Sequence, residues 1–145
     1  MIERYSRKEI KSIWEDYNKY SIWLEIELAA AEAMEKLRII PRGVVRKVKS
    51  RAKINVKRIS QIEDKVKHDV IAFLTSITEK AGKEARYLHK GMTSSDVLDT
   101  CFNIQLKQSG EILLKDIDKL LVEIKRQALK HKFTLCIGRS HGIHA

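Results

Sequence analysis

The sequence predicts an all-α protein. An N-terminal helical domain is expected over 1–92. Residues 93–145 then open a central long-helix bundle domain that the chain leaves truncated. Three observations carry this. One proline and six glycines in 145 residues leave few interruptions. Apolar residues recur at spacings of three and four through most of the chain. Capping residues stand at the heads of these periodic segments.

The elements follow in order. Ser6-Arg7-Lys8-Glu9 reads as a capping box, with Ser6 as N-cap and Glu9 at N3. It opens a helix with Ile10, Ile13, Trp14 and Tyr17 as its apolar set, which Asp16 or Asn18 would break. A second helix is expected from about Tyr20 to Leu37, with Trp23, Ile26, Ala30, Ala33 and Leu37 along one stripe. Pro41 starts a short basic helix through about Ala52. Asn55 caps the next, with Val56, Ile59, Ile62 and Val66 inward. Asp69 caps another, whose apolar set is Val70, Phe73, Leu74 and Ile77, and Gly82 ends it in a left-handed C-cap. Residues 83–94 read as a loop. Ser94 or Ser95 then caps a helix reaching His131, roughly 55 Å long at 1.5 Å per residue. Its stripe is Leu98, Phe102, Leu106, Leu113, Ile117, Leu121, Ile124 and Ala128. Gly110 inside it suggests a bend or a close helix neighbour. A helix this long calls for partners, and oligomerisation supplies them. Phe133–Ile137 is β-prone and reads as an extended connector.

Composition narrows the class. Hydrophobic content of 43% and charged content of 33% describe a soluble globular chain. No apolar run approaches the roughly 18 residues of a membrane span, and the polar start Met1–Lys8 is no signal peptide. A cytoplasmic location without membrane attachment is expected. Cys101 and Cys136 form no CxxC and no disulfide framework, and are expected as reduced thiols packed like small hydrophobes. The net charge of +10 is local. Residues 38–58 hold nine Lys or Arg and no acid, and the rest of the chain has 20 basic against 19 acidic residues. Such a run is the mark of a solvated helix face. It has no interleaved aromatics for stacking bases, so no nucleic-acid partner is expected. A basic helical nucleic-acid-binding module is the distant alternative.

Three clusters have the residue types for chemistry. Lys67-His68-Asp69 stands at a helix start, where cationic donors and the helix N-terminus favour anions. His89-Lys90-Gly91-Met92-Thr93-Ser94-Ser95-Asp96 puts three hydroxyls after a glycine at the head of the long helix, a cradle for carboxylate or phosphate. Gly138-Arg139-Ser140-His141-Gly142-Ile143-His144-Ala145 sets two imidazoles between glycines that allow close backbone approach. No Cys or acid stands beside its His-x-x-His, so neither a metal nor another cofactor is expected. Each of the first two clusters, alone, reads as an ordinary helix cap. His131 reads as a helix C-terminal cation.

Taken together with Arg4-Tyr5, these segments resemble the adenylosuccinate lyase family, within the fumarase/aspartase superfamily of β-eliminating lyases. The resemblance runs from Arg4 to Ala145 and covers about the first third of the family's length. It implies cleavage of adenylosuccinate to AMP and fumarate, and of the succinyl-carboxamide ribotide of purine synthesis to its carboxamide and fumarate. It further implies that His141 is the general acid, with His68 near the reacting region. Thr93 and Ser94 would hold the succinyl part, and Lys67, His68 and Asp69 would contact substrate. Arg4 and Tyr5 would contact the nucleotide, and His89 would line the same pocket. No cofactor is implied, and the whole enzyme would be a homotetramer whose sites draw on three subunits. The family's serine base lies on a loop beyond residue 145, so the chain alone is expected to be inactive. Two departures stand out. The family pattern Gly-Arg-Thr-His-Gly-Gln-His-Ala has here Ser140, which keeps the hydroxyl, and Ile143, which removes an amide. Another lyase or cycloisomerase of the superfamily is the near alternative.

Overall fold

The computed structural model describes residues 2–144; Met1 and Ala145, the last residue of the terminal motif, lie outside the described residues. The fold is all-α, as the periodicity predicts. A 3₁₀ turn, Glu3–Tyr5, precedes α1 (Lys8–Ile13), α2 (Asp16–Lys36), α3 (Val44–Arg51), α4 (Val56–Val66) and α5 (Asp69–Ala81). A second 3₁₀ turn, Lys83–Tyr87, leads towards α6 (Ser94–Lys130). A two-residue-per-strand hairpin, β1 (Arg139–Ser140) and β2 (Ile143–His144), follows. The chain divides into two compact units, Met1–Ser109 and Gly110–Ala145, and α6 runs through the division.

The helix starts depart from the sequence reading for identifiable reasons. The Ser6 capping box does not form. The Ser6 hydroxyl donates to the Ile2 carbonyl at 2.8 Å, and Arg7 takes the N-cap position of α1 without a side-chain cap. The second helix begins at Asp16. Asn18 breaks nothing. From inside the first turn of α2 its amide donates to the Ile13 carbonyl at 2.8 Å, closing the end of α1. Pro41 does not start α3. Gly43, at φ +87°, precedes its first residue, and Glu35 of α2 accepts from the Gly43 and Val45 N–H groups at 3.1 and 2.6 Å. That carboxylate meets two donors that a helix start would otherwise leave without partners. Asn55 caps α4 as expected, accepting from the Arg58 N–H at 3.0 Å. Gly82 ends α5 at φ +80°, but its ψ of −162° lies outside the left-handed helical basin.

The core of the first unit is built on three rings. Trp23 meets Tyr20 and Phe73 edge-on at centroid distances of 5.2 and 5.4 Å, while Tyr20 stacks on Phe73 at 5.8 Å. Such pairs add about 0.5–1.5 kcal/mol each beyond area burial. Val48, Ile59, Val70, Ile77 and Val97 surround them and are fully buried. The rings set the register of α2. Its buried face is Tyr20, Ile22, Trp23, Glu27, Leu28 and Ala31, so the expected Ala33 and Leu37 are exposed. On α4 the inward residues are Ile59 and Ile62, with Val66 exposed.

The first turns of α6 are likewise rotated by one residue. Val97, Cys101 and Gln105 are buried, whereas Phe102 and Leu106 of the expected stripe are exposed. Gln105 is admitted to the core because its amide donates to the Ile13 carbonyl at 2.7 Å. Burial raises the Cys101 thiol above its ordinary range. The close helix neighbour suggested for Gly110 is not found among the described residues: a Cβ there would meet nothing within 4 Å.

Leu113, Ile117, Leu121 and Ile124 are all more than half exposed. Phe133–Ile137 is non-helical, in line with the connector reading, and Cys136 within it is exposed, contrary to the expected packed thiol. No helix among the described residues is long and apolar enough to cross a membrane.

Candidate functional site

The site-bearing segments begin at the head of α5. Lys67, in the left-handed region at φ +52°, ends α4 and turns the chain so that α5 starts two residues later. The N-cap of α5 is His68, not Asp69. The His68 Nδ1 accepts from the Ile71 N–H at 3.4 Å. Asp69 is the first helical residue, and its Oδ1 accepts from the Val70 N–H at 2.7 Å. A neutral His68 ring whose Nδ1 accepts carries its proton on Nε2, and the ring is half exposed, with Asp69 Oδ1 3.6 Å from Nδ1.

His89 is held quite differently. It follows the second 3₁₀ turn and sits in the left-handed region at φ +59°. Its backbone N–H donates to Glu27 Oε2 and its Nδ1 meets Glu27 Oε1, both at 2.6 Å. Glu27 projects from the core face of α2 and its side chain has no exposed surface. The sequence reading missed Glu27. The available signal was spacing: an acid four residues after Trp23 and four before Ala31 occupies the inward face of the helix.

At the head of α6 the cap falls on Thr93 and not on Ser94 or Ser95. The Thr93 N–H donates to Asp96 Oδ2 at 2.7 Å, which is the reciprocal half of a capping box. The Asp96 N–H returns to the Thr93 carbonyl at 3.2 Å. The N–H groups of Ser94 and Ser95 belong to the first turn, where a helix has no internal partners for them. The protein's own acid therefore takes one backbone donor of the expected cradle, the Thr93 N–H, while the Ser94 and Ser95 amides and the three hydroxyls remain. Gly91, at φ +71°, makes the turn between His89 and this helix start.

Arg4 and Tyr5 lie in the N-terminal 3₁₀ turn. The Arg4 guanidinium sits over the Tyr5 ring at 4.7 Å, and Tyr5 is largely exposed. In the second unit His141 and Gly142 form the two-residue loop between β1 and β2, at φ +51° and +76°. Two positive φ values in a two-residue hairpin loop are the type I′ arrangement. The sequence reading did not foresee the hairpin. Ser140 and Ile143 face each other across it, and His144 pairs with Arg139. His141 thus stands at the tip of a tight turn, exposed and left-handed.

The structure accordingly places His89, Thr93 and Ser94 in one short stretch from the second 3₁₀ turn to the first residue of α6, and Lys67, His68 and Asp69 from the end of α4 to the first residue of α5. The 67–69 group and the 93–96 turn are held by bonds within themselves or their own helix starts, and His89 by Glu27 of α2. The basic run is largely a solvated face, as expected. Val44 and Val48 of α3 are buried while Arg46, Lys47, Lys49 and Arg51 are exposed. Acids from elsewhere meet part of it. Lys47 and Arg51 lie 3.1 and 3.9 Å from Glu84, and Arg58 pairs with Glu79 through two bonds of 2.6 and 3.0 Å. Hydrogen bonds from Lys47 and Arg58 hold the Glu84 and Glu79 carboxyls, respectively, below the ordinary range.

A crystal structure of fumarate lyase from Mesorhizobium sp. BNC1 superposes with a TM-score of 0.88 over 97% of this chain, at 22% identity, so the two share a fold. The chain belongs to the lyase family, which it matches over residues 5–145. It is also 46% identical, over its whole length, to adenylosuccinate lyase of Aquifex aeolicus (strain VF5). It spans 34% of the length of each of these two relatives.

Proposed function

We propose that the chain is the N-terminal portion of an adenylosuccinate lyase, acting in purine synthesis. It would cleave adenylosuccinate to AMP and fumarate, and the succinyl-carboxamide ribotide to its carboxamide and fumarate. The observation that carries this reading is the 46% identity to the Aquifex enzyme across the whole chain.

The chemistry asked of the residues is a β-elimination. A base takes a proton from the succinyl Cβ, the C–N bond breaks, and an acid protonates the departing nitrogen. His141 is the acid, since an imidazole can hold and release a proton near neutral pH. A tight left-handed loop suits this role by presenting the ring away from the backbone. Thr93 and Ser94 hold the succinyl carboxylates at the head of α6, where first-turn amides stabilise charge that grows as the carbanion forms. Lys67, His68 and Asp69 contact substrate near the reacting carbon, with His68 offering its Nε2–H. Arg4 and Tyr5 receive the nucleotide, Arg4 at the phosphate. His89 lines the same pocket. The base is a serine beyond residue 145. No cofactor takes part.

In the whole enzyme, residues 1–92 form the N-terminal domain and 93–145 enter the long-helix domain. The exposed apolar residues of α6 beyond Gly110 pack within a homotetramer in the cytoplasm. The test uses the longer protein. It should release AMP and fumarate from adenylosuccinate, and His141→Ala should slow this by about 10²- to 10⁴-fold. The 145-residue chain alone should show no turnover. A longer protein that leaves adenylosuccinate intact, or cleaves another succinyl substrate in its place, overturns the reading.

A further inference from the structure

The Glu27–His89 contact spans 62 residues and joins a core carboxylate to a ring in a site-bearing segment. Both oxygens of Glu27 go to one residue, one to the His89 N–H and one to Nδ1. The Glu27 side chain has no exposed surface, while 18% of the His89 side chain remains exposed. A carboxylate in that position requires donors. An ionised carboxylate has no proton to give, so Nδ1 must carry the one between them. The nitrogen left for any ligand is then Nε2, because the bond made by one ring nitrogen decides the state of the other. His68 is arranged in the opposite sense, with Nδ1 accepting from a backbone N–H. The same two-point grip holds His89 at φ +59°, a region unfavourable for a residue with a Cβ.

We propose that Glu27 is a positioning residue that fixes His89 as its Nδ1–H form, so that Nε2 is the ring atom presented to substrate. This rests on the reading that His89 lines the substrate pocket. The charge of Glu27 is essential to the device. In Glu27→Gln the single amide oxygen meets the backbone N–H, which can only donate. The amide NH₂ then faces Nδ1, and the ring proton moves to Nε2.

The experiment is ¹⁵N NMR of the 145-residue chain labelled at histidine, paired with kinetics of the longer protein on adenylosuccinate. In the wild type, His89 Nδ1 should carry a directly bonded proton. Glu27→Gln should move that proton to Nε2. Glu27→Asp, which keeps the carboxylate, should restore the Nδ1–H form. In the longer protein Glu27→Gln should lower kcat/KM by about 100-fold, as misplacement of a site group does, and Glu27→Asp should recover part of it. These rates are to be measured where circular dichroism shows each variant folded. An unprotonated Nδ1 in the wild type overturns the proposal. So does a Gln variant that keeps Nδ1–H and wild-type turnover. If Glu27→Gln does not fold, the wild-type and Asp spectra decide. Absence of adenylosuccinate turnover with Nδ1–H intact would defeat the functional reading and leave the grip of Glu27 on His89 standing.

Discussion

Residues 1–109 and 110–145 use apolar side chains in opposite ways. In the first unit Trp23, Phe73, Ile59 and Val97 are enclosed by five helices. In the second, Leu113, Leu120, Leu121 and Ile124 recur at helical spacing and remain more than half exposed. The lesson concerns what periodicity means. An apolar stripe reports that a face wants a partner; among the described residues the first turns of α6 bury theirs, and the later turns leave theirs exposed.

The largest effect that would break this contrast is at Phe73. Phe73→Ala removes two ring contacts from a fully buried site and should cost about 3–5 kcal/mol in urea unfolding. Leu120→Ala, in the exposed set, should change the same measurement by no more than about 0.5 kcal/mol in the isolated chain. Comparable losses would show that the second unit is part of one cooperative core. Next is Asn55→Ala, which removes the α4 cap and should cost about 1 kcal/mol of global stability. Gly110→Ala should act in the other sense. A Cβ there meets nothing, so the change should favour the helix by about 0.5–1 kcal/mol. Hydrogen exchange should slow over 110–130 while the urea midpoint of the first unit stays put.

The smallest effect is electrostatic. The Glu84 carboxyl is depressed chiefly by its hydrogen bond from Lys47. A group whose pKa is lower folded than unfolded stabilises fully above the unfolded value, near 4.3 for Glu. That contribution is lost as pH falls through the lower folded value. The melting temperature of Glu84→Gln should therefore fall less steeply than wild type on acidification below about pH 4.3. Equal slopes would remove Glu84 from the acid response.

Legibility followed locality. Asn55 was readable because a cap acts within three residues of itself. The first turns of α6 were misread because the stripe from Leu98 to Ala128 dominates the pattern. The core instead selects Val97, Cys101 and Gln105, one residue away. Gln105 could not be foreseen, since its partner carbonyl on Ile13 is 92 residues distant. Glu27 was hidden for the same reason, its donors lying on His89. The hairpin at His141 escaped notice because its strands are two residues each, too short for any alternation to register. The clusters at 67–69 and 93–96 were legible as helix heads, and the structure changed which residue caps each.

Among the described residues four non-glycine positions lie in the left-handed region, and Lys67, His89 and His141 are three of them. Glycine would occupy each of those backbone positions at lower conformational cost. The two demands on these codons therefore pull apart. Variants chosen only for survival of the fold should accumulate glycine or asparagine at 67 and 141, whereas at 89 loss of the ring would strip buried Glu27 of a donor. Retention of lysine and histidine there must be enforced by whatever the side chains touch.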